Sequence, residues 1–365
     1  MTNLPRILIL SRYGRQGASS RLRTMQYEPY LAAAGLEATY APFFNDEYLA
    51  NLYSKRGQRL AFTRYFQNRR NQLAAAPRPD IIWLEKEAFP WVPWVLEHRL
   101  LPRGVPIIAD YDDAVFHRYD GHRNPIVRRI LGSKIDDVMR SSALVTAGNE
   151  YLADRAHAAG AKRVELVPTV VDMKAYASVS EGMPGTVAGG TSRPVIGWIG
   201  SPTTWTDYMV PLMPLLEGIA QAADADVHAV GADLGTSVPS RFQLFPWFEE
   251  TEVDMIRQMT VGIMPLSDTP WSRGKCGYKL IQYMACGIPV VAAPVGVNSD
   301  IVRHGENGFL ASTEDDWRTA LRTLLSDPVL CRHMGQAGRH LVERKYTLQI
   351  QGPRVAELLG SMYRN

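Results

Sequence analysis

The stretch 274-GKCGYKLIQYMACGIPVVAAPVGVNSDI-301 reads as one helix followed closely by a buried strand. Leu280, Ile281, Met284 and Ala285 form a stripe at helical spacing, so a helix is expected from near Gly277 to Gly287. It is followed at once by IPVVAAPVGVN, a core strand that runs into another glycine loop. Lys275 and Lys279 stand four apart. On a helix opening near Gly277 they share one side of its N-terminal end, where charge and dipole both attract phosphate. Two solvated surface lysines would give the same pattern.

Outward from this stretch, apolar runs alternate with helical patterns through the whole chain, as parallel sheets with crossover helices require. Strands are expected over 6–10, 38–42, 81–84, 106–109, 144–147 and 163–167, and again over 195–199, 226–230, 242–245, 261–265, 289–292 and 308–311. Each set makes one doubly wound, Rossmann-like α/β unit. SVSEGMPGTVAGGTSRP, 178–194, lacks periodicity and reads as a linker. The organisation expected is therefore 1–177, linker 178–194, second unit 195–346, and a final helical segment 347–365.

A length of 365 residues suits two domains, and an apolar fraction of 46% with 21% charged residues suits a globular protein. The longest near-apolar run, Ile288 to Val297, is broken by Pro289, Pro294 and Gly296 and falls far short of the roughly 20 residues of a membrane span. MTNLPRILILSRYG reads as a first strand and not as a signal peptide, and Cys276, Cys286 and Cys331 contain no C-x-x-C pair. A reducing cytoplasm is expected, with no disulfide framework and no structural zinc. Residues 1–182 carry 25 basic and 19 acidic side chains, residues 183–365 carry 15 and 18. The first half is thus +6, which points to an anionic partner.

Ligands of open α/β sheets bind beyond the carboxyl ends of the strands. After the first strand, SRYGRQGASSRLR offers Gly14, Gly17, Ala18 and Ser19 for close backbone approach, with Arg21 and Arg23 opening the next helix. This is a phosphate-binding turn or an ordinary surface loop. G-x-x-G spacing, and a second strand that does not end on an acid, disfavour NAD. In the second half VIGWIGSPTTW repeats the idea at Gly200 and Ser201.

Gly274 to Ala311, with YMACGIPVVA, VGVNSDIV and HGENGFL in order, resembles the donor-binding region of family-4 retaining glycosyltransferases. Weaker similarity runs through LVTAGNEYLADRA, VPTVVD and IGWIGSPTT. The resemblance implies a GT-B fold of two Rossmann-like domains facing a cleft. The first would bind a saccharide or polyprenyl-linked acceptor, the second a UDP- or GDP-sugar, and the last helix would cross back to the first. It implies no metal or cofactor, no nucleic acid, and a cytoplasmic enzyme. Two glutamates eight apart, frequent in the family, fall at Gly274 and Gln282, and Trp198 occupies a place near the Gly200 loop where a diphosphate-gripping cation is common. Gln282 can still meet a ribose hydroxyl. Gly17, Gly200, Ser201, Lys275, Gly277, Tyr278 and Lys279 are then expected at the donor, the two lysines supplying the missing charge. Trp247 is expected either at the base or as a packing residue.

By the same resemblance, the strand end IIADYDDAVFHRYDGH lies where a histidine sits beneath the donor sugar. Asp112, Asp110 and His117 are the catalytic candidates, with Asp113 a candidate helix cap. Glu85 and Glu87, at the next strand end, join Arg21 and Arg23 as acceptor-binding candidates. Three other readings stand beside this one. The D-x-D of Asp110 and Asp112 also resembles metal-dependent phosphatases and single-domain metal-dependent glycosyltransferases, and the missing glutamates would suit a nucleotide-sugar-binding protein without turnover. Residues 52–76 hold six basic side chains and no acid among interleaved aromatics, which suits either an anionic membrane surface or an ordinary helix with a solvated arginine face.

Overall fold

All twelve expected strands form, each within two residues of its expected bounds, and they pair only in parallel in a computed structural model that describes residues 4–53, 62–75, 77–176 and 193–363. The first six are β1 (Arg6–Leu10), β2 (Glu37–Tyr40), β3 (Ile81–Glu85), β4 (Ile107–Tyr111), β5 (Leu144–Ala147) and β6 (Val164–Leu166). Their order in the sheet is β2-β1-β3-β4-β5-β6. β1, β3, β4 and β5 are buried almost throughout, as strands covered by helices on both faces must be.

The second sheet contains β7 (Val195–Ile199), β8 (Asp226–Val230), β9 (Phe242–Phe245), β10 (Val261–Met264), β11 (Val290–Ala292) and β12 (Gly308–Leu310). Its order, β12-β11-β10-β7-β8-β9, reverses between β7 and β10 and so creates the crevice at which such sheets bind ligands. The expected helix between β10 and β11 spans Tyr278–Ala285. Its stripe is buried and Gly287, at φ +71°, follows its C-cap.

Two compact units result. One comprises residues 4–169 together with Arg273–Cys276 and the last helix, Leu348–Tyr363; the other comprises Val170–Ser272 and Gly277–Thr347. Val171 and Tyr176 are core residues of the second unit. The expected linker, 178–194, lies almost wholly outside the described residues. Within the first unit, Gly352 of the last helix lies so close to the Tyr30 ring that a Cβ would stand 2.6 Å from it, and Arg354 donates to the carbonyl of Leu166 at 2.8 Å.

Residues 54–61 of the basic segment lie outside the described residues. The described remainder gives its apolar side to the core, with Tyr65, Phe66 and Leu73 packed there. Arg69 is wholly buried and donates to the carbonyls of Ala41 and Ser11. The described side chains of 63–74 thus pack as those of an amphipathic helix laid on the core. No helix among the described residues is long and apolar enough to cross one.

Candidate functional site

In the first unit the chemistry gathers at the carboxyl ends of β1, β3 and β4. Glu85 closes β3 with no exposure and accepts from Ser20 Oγ at 2.6 Å and from the Arg12 amide at 2.9 Å. Lys86 follows with φ +67°, a left-handed conformation that costs a non-glycine residue about 1–3 kcal/mol and marks a position the surroundings enforce. Its Nζ stands 2.8 Å from Asp112 Oδ1, 3.6 Å from Glu85 Oε1 and 4.0 Å from Asp113 Oδ2. Burial by itself would raise the Asp112 carboxyl, but Lys86 and Arg23 outweigh it and hold it down to about 2. Asp112 is therefore a carboxylate at neutral pH and cannot donate a proton.

Asp110, expected beside Asp112, is engaged elsewhere. It takes a fork-to-fork pair from Arg23, at 2.9 and 2.7 Å, and a 2.6 Å bond from Thr146 Oγ1. Arg23 also donates to the carbonyl of Val167 at 2.7 Å. Arg23 and Asp110 are both 1% exposed, so each holds the other inside the protein. Glu87 is buried too, bonded by Tyr119 at 2.7 Å and Lys134 at 2.6 Å. Arg21 donates to the Arg15 carbonyl at 3.1 Å. Arg23, Glu85 and Glu87 thus support the strand ends from behind. His117 belongs to a separate group, with Asp120 at 2.9 Å on one ring nitrogen and Tyr151 at 2.7 Å on the other.

Behind Glu87, Lys134 also meets Glu97 at 2.9 Å. Burial pushes the Glu97 carboxyl up to about 7, with Lys134 opposing and Glu87 reinforcing. A carboxyl raised above its unfolded value binds its proton more tightly when folded. Its contribution is complete below the unfolded pKa and is lost as pH rises through the folded one. The stability of the wild type relative to Glu97→Gln should accordingly fall by up to about 3 kcal/mol between pH 4.5 and pH 8 in paired denaturant titrations, whereas a constant difference would mean that Lys134 cancels the effect of burial.

Lys275 does not lie on the helix with Lys279. It precedes the N-cap of the helix it was expected to share with Lys279 and belongs to the first unit. Its Nζ donates to Asp113 Oδ1 at 2.8 Å, and its carbonyl accepts from Asn149 Nδ2 at 2.9 Å. Asp113 is thus the partner of Lys275, and no helix-capping bond is found for it. Asn149 caps the helix Glu150–Ala158 through its oxygen while its amide nitrogen holds the 273–275 backbone. An asparagine ahead of an apolar helical run signals the cap in sequence, but nothing there signals the second bond.

The second unit carries the remaining candidates. Gly277, the N-cap of Tyr278–Ala285, has φ +66°, and a Cβ would stand 2.4 Å from Ile301 Cδ1. Only glycine fits here. Lys279 Nζ lies 5.8 Å from the Trp198 ring centroid, within cation–π range. Gln282 is buried, with Nε2 3.4 Å from the Tyr176 hydroxyl. Trp247 Nε1 donates to Glu252 at 2.9 Å. Ser201 forms a capping box with Thr204, whose Oγ1 takes the Ser201 amide at 3.0 Å. Gly200 lies where a Cβ would stand 2.4 Å from the Trp198 ring, and the carbonyl of Gly200 lies where Gly231, at φ +77°, would carry one. Gly231 was not singled out from sequence; a glycine directly after β8 is its only signal.

Residues 193–327 match the family model described as Glycosyl transferases group 1. A D-inositol 3-phosphate glycosyltransferase of Streptomyces bingchenggensis is 31% identical over 138 residues, 37% of this chain and 29% of that protein. A GDP-mannose-dependent alpha-(1-6)-phosphatidylinositol monomannoside mannosyltransferase of Mycolicibacterium smegmatis is 36% identical over 86 residues, 23% of this chain and 22% of that protein. The chain therefore spans less than a third of the length of these curated relatives. Among solved structures, Anabaena HepE in complex with UDP-glucose superposes with a TM-score of 0.72 at 16% identity, covering 98% of this chain and 99% of that one. The fold is GT-B. Two parallel six-stranded sheets with their helices make an α/β protein of two domains.

Proposed function

We propose that the chain is a retaining glycosyltransferase of the family-4 type, moving a sugar from a UDP- or GDP-sugar to a hydroxyl of a saccharide or polyprenyl-linked saccharide without a metal ion. The observation that carries this reading is the left-handed Gly277 opening the helix Tyr278–Ala285 within the family-matched region. A glycine N-cap has no side chain to cap the first turn, so an anionic diphosphate is the natural partner for its amides. Lys279 adds a cation beside them, and Gln282 and Trp247 take the ribose and the base. The donor belongs to the second unit and the acceptor to the first.

Asp112 is the catalytic residue of this reading. Ionised and tethered by Lys86, it steadies positive charge developing on the sugar or orients the attacking hydroxyl. Lys86 positions it, while Asp110 and Arg23 fix the strand end. The same contacts weigh against a D-x-D metal site, because Arg23 holds both oxygens of Asp110 and Lys86 holds Asp112.

The test of donor binding is calorimetric titration with UDP, GDP, ADP, dTDP and CMP in EDTA. One nucleoside diphosphate should bind in the micromolar range and raise apparent stability by mass action. Binding of none, together with a response to magnesium alone, would favour the D-x-D phosphatase.

A further inference from the structure

Among the described residues of the first unit, most exposed large apolar side chains fall in two segments, 91–100 and 126–130, with Leu4, Ile350 and Tyr363 exposed elsewhere. Trp91 is 45% exposed and held at φ +66°, a strained conformation for an aromatic residue. Its amide donates to the Tyr119 hydroxyl oxygen at 3.0 Å, and its ring stands 5.2 Å from that of Tyr119 and 5.7 Å from that of His122. Two short helices leave this corner. Trp94–Leu100 presents Val95, Leu96 and Leu100 at 62, 51 and 41% exposure, and Pro125–Leu131 presents Ile126 and Ile130 at 64 and 57%. Each helix buries its other side, through Trp94 in one and Leu131 in the other.

The exposed charged residues interleaved with these are all of one sign. Arg99, Arg103, Arg123, Arg128 and Arg129 are exposed, and the only acid in 91–103 or 121–131 is Glu97, buried on Lys134. Arg128 reaches back to the carbonyls of His122 and Arg123, which ties the second helix to the Trp91 corner. A protein partner would be expected to present acids to five arginines and a groove to each apolar side chain. A flat anionic lipid surface satisfies both at once, taking tryptophan and aliphatic side chains at headgroup depth and guanidinium groups at the phosphates.

We propose that Trp91 and the exposed faces of Trp94–Leu100 and Pro125–Leu131 form a surface that docks on an anionic bilayer. It differs from the 52–76 segment in position and in having its apolar side chains outside the core, and it does not depend on the proposed activity.

Flotation of the full chain with vesicles of phosphatidylcholine alone and of phosphatidylcholine with 30% phosphatidylglycerol at low and high salt provides the test, roughly as in any peripheral protein. The wild type should float with the anionic vesicles and lose binding as salt rises. Arg123→Gln/Arg129→Gln should weaken binding roughly 25-fold, at about fivefold per arginine. Leu96→Ser/Ile126→Ser/Ile130→Ser should weaken it by more than about tenfold even at low salt. Every substituted side chain is exposed, and an unchanged melting midpoint confirms folding. Failure of the wild type to float would overturn the proposal. So would variants that float like the wild type, or self-association through this face in place of vesicle binding.

Discussion

Arg23→Ala should destabilise the first unit by about 3–5 kcal/mol, the cost of leaving a buried carboxylate without its cation. Asp110 is 1% exposed and retains only Thr146 once the guanidinium is gone. The carbonyl of Val167 loses its donor as well. Arg23 bridges the first helix of the unit, the end of β4 and the residues just after β6, so the damage reaches three elements. The double replacement Arg23→Met/Asp110→Leu should recover most of the loss, because it removes both charges and leaves apolar volume behind. Denaturant unfolding followed by a probe in the first unit measures this. A loss below about 1 kcal/mol in Arg23→Ala would mean that water reaches the pair.

Asp112→Asn should lower kcat by about 10²–10³-fold, the usual effect of removing one preorganised electrostatic group, with nucleotide affinity almost unchanged. The distinction follows from placement: Asp112 lies in the first unit, and the residues assigned to the nucleotide lie in the second. A structural role alone would instead lower stability and leave the turnover of the folded fraction intact. Glu85, 3.6 Å from Lys86, keeps a counter-charge on the ammonium after the substitution, which favours a folded variant.

The strands were legible because buried parallel strands are short apolar runs bounded by glycine, proline and acids, a pattern that survives without knowledge of partners. VIGWI, DVHAV and FQLF fall at their expected bounds. The glycine at 277 was legible as the start of a helix, its left-handed backbone only from coordinates. Side-chain partners were far less accessible. Lys275 and Asp113 are 162 residues apart, and a lysine four residues from another on a helical stretch reads locally as its neighbour. Asp110 and Asp112 look equivalent in ADYDD, yet one is locked to Arg23 and the other to Lys86. That difference depends on which long side chains the fold brings to β4. Arg69 appeared as one more surface arginine; two carbonyls from distant loops make it a core residue. The left-handed Lys86 has no sequence signature at all, since the conformation is enforced by a strand end whose partners lie elsewhere.

Sugar transfer itself is the decisive assay. The full chain is incubated in EDTA with radiolabelled UDP- and GDP-sugars and a panel of saccharide and polyprenyl-linked acceptors, and the anomeric configuration of any product is read by NMR. Product should form from one sugar nucleotide, without metal, with the donor's configuration retained and with little product from Asp112→Asn. Binding of a nucleoside diphosphate with neither transfer nor hydrolysis would contradict this and leave a nucleotide-sugar-binding protein. Turnover that appears only when magnesium is restored would contradict the metal-free mechanism.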